Sequence, residues 1–216
     1  MGGKADTLHT IAGLGVVPVV RAESADQAMK IVDAILAGGV NILEITMTVP
    51  GAIGVMEQVA KQFGSKVLLG AGTVLDSETA RAAILAGAEF VVSPGTDLEM
   101  IRLCRRYSKP IMPGALTPTE VMHAWQSGAD VVKIFPCGNV GGPKYIKALK
   151  GPLPQVEMIP TGGVNLDTTV DFIKAGAVAV CVGSALVDKT AIKEGNFGLL
   201  TENAKKYVDL VKQARA

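Results

Sequence analysis

Eight apolar runs rich in valine and isoleucine, separated by segments long enough to form helices, constrain the fold of this chain more than any other feature of its sequence. Continuous apolar runs of this kind are typical of parallel strands that are buried on both faces. The predicted strands lie at residues 16–20, 41–45, 66–70, 89–93, 110–114, 130–135, 157–161 and 178–182. Because crossovers between parallel strands are right-handed, eight repeats of strand and helix predict an α/β fold, a closed (β/α)8 TIM barrel.

The segments between the runs carry helix signals at both ends. Polar capping residues open them, as in ESADQA and TPTE, and glycines such as those of AGAE and SGAD precede the next strand. The alternative is an open doubly wound sheet, which would be expected to show GxGxxG after the first strand, where none follows. An amphipathic stretch at 199–214 predicts a C-terminal helix. With no linker in the sequence, residues 1–216 are expected to form a single (β/α)8 barrel domain.

Composition excludes several classes of protein. The chain is 49% hydrophobic, which excludes disorder, and its 21 Lys and Arg against 20 Asp and Glu give no basic field for a nucleic-acid partner. Residues 1–10 are polar, without the apolar core of a signal peptide, and the longest uncharged run, 175–187, is too short to span a membrane. Three cysteines without a CxxC pair fit reduced thiols, so we expect a cytoplasmic protein.

Two charged residues stand inside apolar strands, and both are candidate catalytic groups. Glu44 lies within ILEIT on the second strand, and Lys133 lies within VVKIF on the sixth. Side chains alternate between the faces of a strand, and the opposite faces of both strands are wholly apolar, so both charges are predicted to point into the barrel. A buried structural ion pair is the alternative. Their position near the carboxyl ends of barrel strands favours catalysis, because active sites of these barrels lie there.

The two residue types suit imine chemistry. A lysine enclosed by apolar walls can hold its amine uncharged near neutral pH, which a Schiff-base nucleophile requires. A neighbouring carboxylate can then move protons while the imine forms and a C–C bond breaks. Metal catalysis is not expected, because His9 and His123 stand apart, with no HxH or HExxH spacing. Cys137 has no histidine at a strand end to act as its base, so it is interpreted as a packing residue.

The turns after the last two strands contain glycines that suit a phosphate site. Gly162 and Gly163 lie in PTGGVN, and Gly183 and Ser184 lie in VGSALV. Backbone N–H groups in such turns can hold a phosphate, and this is the common phosphate site of these barrels. The alternative is that glycine only permits tight turns. Other strand-end residues are candidates for substrate binding, namely Arg21 for a carboxylate, Thr73 as a hydroxyl donor, and Pro94, which more simply shapes a turn.

These motifs together resemble a known family. LEIT, GAGTV, VVSPG, LTPTE, KIFP, PTGGVN and VGSALV, spread in order from about residue 16 to 187, are similar to those of 2-keto-3-deoxy-6-phosphogluconate (KDPG) aldolase, also called 4-hydroxy-2-oxoglutarate (KHG) aldolase. The resemblance implies a class I aldolase that needs no metal and no cofactor. It also implies a homotrimer that cleaves the phosphorylated keto acid KDPG to pyruvate and glyceraldehyde 3-phosphate.

The resemblance also assigns roles to residues. It implies that Lys133 is the Schiff-base lysine, that Glu44 is the general acid and base, and that Thr73 and Arg21 lie near the pyruvyl carboxylate. Many members carry arginine four residues after the glutamate, where this chain has Thr48, so carboxylate binding is expected to depend more on Arg21 and Thr73. The full set of expected substrate-binding residues is Arg21, Thr48, Thr73, Pro94, Phe135, Gly162, Gly163, Gly183 and Ser184.

Other phosphate-binding barrels fit the sequence less well. Deoxyribose-phosphate aldolases carry a second lysine on the seventh strand, which here reads EMIPT, and orotidine-phosphate decarboxylases carry DxKxxD, which is incomplete here. Within the family, the galactonate-derived epimer of KDPG and unphosphorylated KHG remain alternative substrates. A non-catalytic oligomeric barrel is the alternative from another class, and the intact pair of Lys133 and Glu44 argues against it.

Overall fold

The computed structural model describes residues 3–216, in which a ring of short parallel strands is surrounded by helices. The strands are β1 Val16–Val20, β2 Ile42–Thr46, β3 Leu68–Gly72, β4 Phe90–Val92, β5 Ile111–Met112, β6 Gly114–Ala115, β7 Val132–Ile134, β8 Met158–Pro160 and β9 Val180–Val182. The helices are α1 Lys4–Leu14, α2 Ala25–Ala37, α3 Ala52–Phe63, α4 Ser77–Leu85, α5 Leu98–Arg106, α6 Pro118–Gln126, α7 Pro143–Lys150, α8 Thr169–Lys174, α9 Lys189–Lys193 and α10 Phe197–Arg215.

The strands close into the predicted (β/α)8 barrel. Six of them pair in the order β5-β4-β3-β2-β1-β9 and three in the order β6-β7-β8. β5 and β6 flank Pro113 and together form the fifth strand of the barrel, because proline has no N–H with which to continue the ladder. A parallel bridge between Thr161 and Cys181 joins β8 to β9 and completes the ring. The fold prediction, including the C-terminal helix, is confirmed.

Alternating side chains divide the core into two layers, as expected from the strand pattern. Leu43, Ile45, Val132 and Ile134 belong to the layer between strands and helices. Ile42 and Val131, which share faces with Glu44 and Lys133, belong to the cluster inside the barrel. The predicted inward orientation of the two charges is therefore confirmed.

The N-terminal segment differs from the sequence-based expectation of a short polar stretch. Residues 4–14 form helix α1, which ends at Gly15 in the left-handed conformation (φ 73°). Leu8, Ile11 and Leu14 of this helix pack against the cluster inside the barrel. The helix therefore covers the end of the barrel at which the strands begin. Met1 and Gly2 lie outside the described residues.

Polar residues that precede the helices in the sequence cap their first turns. The side chains of Ser24, Asp76 and Asp97 each accept a hydrogen bond from a backbone N–H in the first turn of the following helix. Thr117 and Glu120 form a capping box at the start of α6. Within residues 3–216, no helix combines the length and the apolar character needed to cross a membrane.

Candidate active site

Glu44 is the most unusual buried group at the carboxyl ends of the strands. It is 0% exposed, and neither of its carboxylate oxygens has a hydrogen-bond partner among residues 3–216. Burial raises the pKa of this carboxyl group, while the positive charges of Lys133 and Arg21 oppose that rise. Gly72 leaves the space that the carboxylate occupies, because a Cβ at that position would lie 2.6 Å from Oε1.

Lys133 is buried on the strand across the barrel. It is 5% exposed, and its Nζ lies 5.3 Å from the centre of the Phe135 ring. On the adjacent strand β6, Gly114 is in register with Lys133 and brings no side chain into the space beside the lysine. A Cβ at Gly114 would lie 2.1 Å from the carbonyl oxygen of Pro94, so this glycine also lets the loop after β4 approach the site.

The geometry does not support the alternative of a structural ion pair. The salt bridges formed by residues 3–216 within 4.0 Å involve other residues and include neither Lys133 nor Glu44. The charge of Lys133 nevertheless reaches Glu44, since it acts on the pKa of the carboxyl group. The two groups are thus near one another, buried and unpaired. Buried polar groups without partners are costly, so both side chains are free to contact a ligand.

Thr161 is a residue that the sequence analysis did not single out. It follows β8, it is 9% exposed, and its hydroxyl group has no hydrogen-bond partner in the described part of the chain. Its position two residues after Ile159 places it in phase with the barrel interior, which is the signal that could have identified it. It lies in register with Cys181. Burial raises the pKa of the Cys181 thiol to about 12, and the Thr161 hydroxyl group beside it opposes that rise.

Thr73 has a strained backbone at the end of β3. Its φ is 57°, in the left-handed region that β-branched residues rarely adopt. Such strain costs on the order of 1–3 kcal/mol and is concentrated at functional sites. The side chain is half-buried directly after Gly72, the residue that makes room for Glu44. The strained backbone is an observation about Thr73 that does not depend on the sequence motif.

The glycines of the predicted phosphate turns serve the local structure as well. Gly162 and Gly163 have φ of 87° and 75°, which favour glycine. A Cβ on Gly163 would lie 2.7 Å from the Cα of Gly138, and Gly138 N donates to Gly162 O at 3.0 Å. These two glycines are therefore required by the turn and its packing whether or not a phosphate binds. Ser184, by contrast, is exposed after β9 and has no such constraint.

The remaining predicted residues line two clefts at the same end of the barrel. Arg21 and Thr48 line a cleft of about 590 Å³, and Pro94 and Phe135 line another of about 460 Å³. Thr48 Oγ1 lies 2.6 Å from Oγ1 of the buried Thr46. Nη1 of Arg21 lies 3.3 Å from where a Cβ of Gly183 would be. Its guanidinium group therefore lies beside the predicted phosphate turn.

Two further expectations concern cysteine and metal. Cys137 is buried, its Sγ lies 3.7 Å from Gly142 O, and burial raises the pKa of its thiol to about 12. This environment suits the packing role predicted for it. Among residues 3–216, no group of three or more His, Cys, Asp or Glu residues is arranged to hold a metal ion.

Comparison with known proteins supplies the family. The family described as "KDPG and KHG aldolase" matches residues 9–202. The chain is 35% identical over 196 residues to 2-dehydro-3-deoxy-phosphogluconate aldolase of Treponema pallidum, covering 91% of this chain and 93% of the relative. It is 32% identical over 194 residues to the KHG/KDPG aldolase of Escherichia coli K12, covering 90% and 91%.

A solved structure agrees with this match. KDPG aldolase from Legionella pneumophila, with pyruvate captured at low pH as a covalent carbinolamine intermediate, superposes with a TM-score of 0.84 and 32% identity. The alignment covers 92% of this chain and 96% of that one. The family match, the sequence identities and the superposed barrel together show that the chain belongs to the KDPG and KHG aldolase family and is an aldolase, a lyase.

Proposed function

We propose that this aldolase cleaves KDPG to pyruvate and glyceraldehyde 3-phosphate through a Schiff base on Lys133. The observation that carries the proposal is the buried Lys133 and Glu44, close enough to interact electrostatically but without an ion pair. The names of the Treponema and E. coli relatives support the substrate. The carbinolamine captured in the Legionella relative supports covalent chemistry on an amine.

The first half of the reaction forms the imine. Nζ of Lys133 attacks the C2 carbonyl carbon of KDPG and, with loss of a proton from the nitrogen, gives a carbinolamine. Glu44, whose carboxyl pKa is raised by burial, donates a proton to the C2 hydroxyl group, which leaves as water. The product is an iminium ion between Lys133 and C2, and Glu44 is left as a carboxylate.

The second half breaks the C3–C4 bond. The Glu44 carboxylate takes the proton of the C4 hydroxyl group, the C4–O bond becomes the aldehyde of glyceraldehyde 3-phosphate, and the electrons of the C3–C4 bond move to the iminium to form an enamine. Glu44 then returns the proton to C3. Water hydrolyses the resulting iminium ion, releases pyruvate and restores the Lys133 amine.

The surrounding residues bind the two ends of the substrate. Thr73 lies at the end of β3 beside Gly72, and we assign it to the pyruvyl carboxylate. Thr161 is assigned to a substrate hydroxyl, because a buried hydroxyl group without a partner is unfavourable until a ligand supplies one. Gly183, Ser184 and the turn at Gly162 and Gly163 are assigned to the phosphate, with Arg21 beside them.

Trapping with borohydride tests the nucleophile. Reduction in the presence of pyruvate should add one reduced pyruvyl group to the native protein, located by peptide mass spectrometry on Lys133. Lys133→Ala should abolish the adduct and the activity while the circular dichroism spectrum remains native. Lys144→Ala, an exposed lysine on α7, serves as the matched control and should behave like the native protein. An adduct on a different lysine would overturn the assignment.

A charge placed in the phosphate turn tests the phosphate site. Ser184→Glu should lower kcat/KM for KDPG at least ~100-fold, or roughly 2.7 kcal/mol, because the added carboxylate repels the phosphate. Ser184→Gln, of nearly the same size, should lose much less. KHG has no phosphate and should be affected less by either change, so equal losses on both substrates would show that this turn does not hold the phosphate.

A substrate panel separates the family alternatives. Coupled assays on KDPG, its galactonate-derived epimer and KHG should give the highest kcat/KM with KDPG. Activity is expected to be the same after treatment with EDTA, because imine chemistry needs no metal ion. Loss of activity that a divalent ion restores would contradict the mechanism.

We propose that the chain forms a single domain and that it assembles as a cytoplasmic homotrimer. Helix α6 exposes Met122 and Trp125, one turn apart, an apolar surface of the kind that interfaces bury. Cys104, Cys137 and Cys181 are buried free thiols, as suits a reducing compartment. Analytical ultracentrifugation should give three times the 22.3 kDa chain mass.

A further inference from the structure

One cleft beside the proposed site carries, in addition to Arg21, two lysines that the mechanism does not use. The cleft of about 590 Å³ is lined by Arg21, Ala22, Glu23, Gln27, Thr48, Lys189, Ile192 and Lys193. Three of these residues are cations, and Glu23 is the single acid among the described residues that line it. Within residues 3–216, none of the three cations has a salt-bridge partner. The cleft therefore has a local positive excess in a chain whose net charge is only +1.

The position of the cleft connects it with the reaction centre. Arg21 ends β1, Thr48 follows β2, and the two lysines stand at the ends of the short helix α9 that follows β9. All are at the carboxyl ends of strands, the end at which Glu44 and Lys133 are buried. The charge of Arg21 is felt at Glu44, where it opposes the rise of the carboxyl pKa. An anion held in the cleft is therefore next to the proposed site.

We propose that Lys189 and Lys193 form an anion-capture site that draws the phosphate-bearing end of the keto acid into the barrel mouth. The inference rests on the proposed function, in which the substrate carries one carboxylate and one phosphate. Both lysines are exposed, so they act as solvated point charges and do not replace the backbone phosphate turn. Clefts lined by one sign of charge concentrate oppositely charged ligands and accelerate their association.

Charge changes on α9 test the capture site. The double variant Lys189→Gln/Lys193→Gln removes the two positive charges. The double variant Lys189→Glu/Lys193→Glu replaces them with two negative charges. At ~10 mM ionic strength the reversed pair should raise KM for KDPG about 10-fold or more, with the neutral pair in between and kcat unchanged. At ~1 M salt, where screening acts within about 3 Å, the KM values should approach that of the native protein.

A matched pair separates the local field from the total charge. The double variant Lys205→Glu/Lys206→Glu replaces two exposed lysines of α10 and changes the net charge by the same amount as the reversed α9 pair. It should leave KM for KDPG close to that of the native protein. Borohydride trapping of pyruvate at saturating concentration should be native in every variant. An equal KM increase in the α10 pair, an unchanged KM in the reversed α9 pair, or an effect that salt does not screen would overturn the proposal.

Inorganic phosphate distinguishes failure of this proposal from failure of the proposed function. If the native enzyme does not cleave KDPG, the proposed function is wrong. Phosphate should still raise the Tm of the native protein at low ionic strength and raise it less in the reversed α9 pair, because a ligand stabilises the state that binds it. Equal shifts in both proteins would show that these lysines do not bind anions.

Discussion

The two ends of the barrel treat their polar groups in opposite ways. At the end where strands begin, Arg215 donates to the carbonyl oxygens of Ala12, Gly13 and Val178 at 2.7–2.9 Å. There, Lys4 also pairs with Asp130 at 2.7 Å, and Asp130 accepts from Ile111 N at 3.0 Å. These contacts join α1, α10 and the strand starts into one satisfied network.

At the end where the strands finish, polar groups are left without partners. Among residues 3–216, four buried side-chain atoms lack a hydrogen bond, namely Glu44 Oε1, Glu44 Oε2, Thr161 Oγ1 and Tyr207 Oη. Three of the four, those of Glu44 and Thr161, lie at this end of the barrel, and the strained Thr73 lies at the same end. The contacts at the first end stabilise the fold, whereas the unpartnered buried groups at the second end lower stability unless a ligand supplies their hydrogen bonds.

Among the substitutions that test this difference between the two ends, Glu44→Gln should have the largest effect on activity. Loss of the proton carrier should lower kcat about 10²–10⁴-fold. At a pH above the folded pKa of Glu44, the variant should be about 1 kcal/mol more stable than the native protein, because the buried carboxylate without a partner is removed. Urea unfolding and steady-state kinetics on the same samples measure both effects.

The pH dependence of stability gives the sign of the Glu44 contribution. The folded pKa of Glu44 is raised above its ordinary value of 4.5, so the folded state holds this proton more tightly than the unfolded state does. Relative to Glu44→Gln, the native protein should therefore lose stability as pH rises above about 4.5 and until the folded pKa is passed. A native protein that is instead more stable than the variant by ~3 kcal/mol or more would indicate a structural ion pair with Lys133.

Gly72→Ala should reduce activity with little loss of stability. The new Cβ would lie 2.6 Å from Glu44 Oε1, and the carboxylate at the end of a flexible side chain can move away. We expect kcat/KM to fall about 100-fold, since a displacement of 1 Å at a catalytic group can have that effect. Gly54→Ala, in α3 with no atom within 4 Å of the new Cβ, is the control and should keep full activity. Native kinetics in Gly72→Ala would show that the carboxylate position is not critical.

Arg215→Ala should affect the opposite end alone. Three charge-assisted hydrogen bonds to carbonyl oxygens are lost, and the side chain is partly solvated, so we expect about 2 kcal/mol less stability. In a domain of this size the Tm should fall by roughly 5 °C, while kcat and KM remain native. Arg106→Ala removes an exposed side chain that makes no hydrogen bond among the described residues, and it should change Tm little. Loss of activity in a folded Arg215→Ala protein would contradict the separation of the two ends.

Thr73→Asn should give the smallest change in stability. Asparagine adopts the left-handed conformation more readily than threonine, so the variant is expected to gain about 0.5–1 kcal/mol. The KM values for KDPG and KHG should rise if Thr73 binds the carboxylate of these substrates. A variant that gains stability and keeps its KM would assign the strain to the turn alone.

The architecture and the inward orientation of Glu44 and Lys133 could be predicted from the sequence alone. Alternation of apolar runs with capped segments is local, and periodicity of two along a strand decides which face Glu44 and Lys133 occupy. The barrel, the C-terminal helix and the inward charges could therefore be predicted. Helix α1 could not be predicted in the same way, because its short apolar stripe becomes informative only once the barrel end that it covers is known.

The arrangement of the strand ends became visible only in the three-dimensional structure. Barrel closure brings Gly72 against Glu44, Arg21 against Gly183, and the lysines of α9 to the cleft beside Arg21. It also leaves the hydroxyl of Thr161 without a partner and fixes Thr73 at φ 57°. These relations join residues far apart in the chain through the stagger of the strands and the course of the loops. No local pattern encodes such distances, so the sequence could indicate candidate site residues but not how they are arranged.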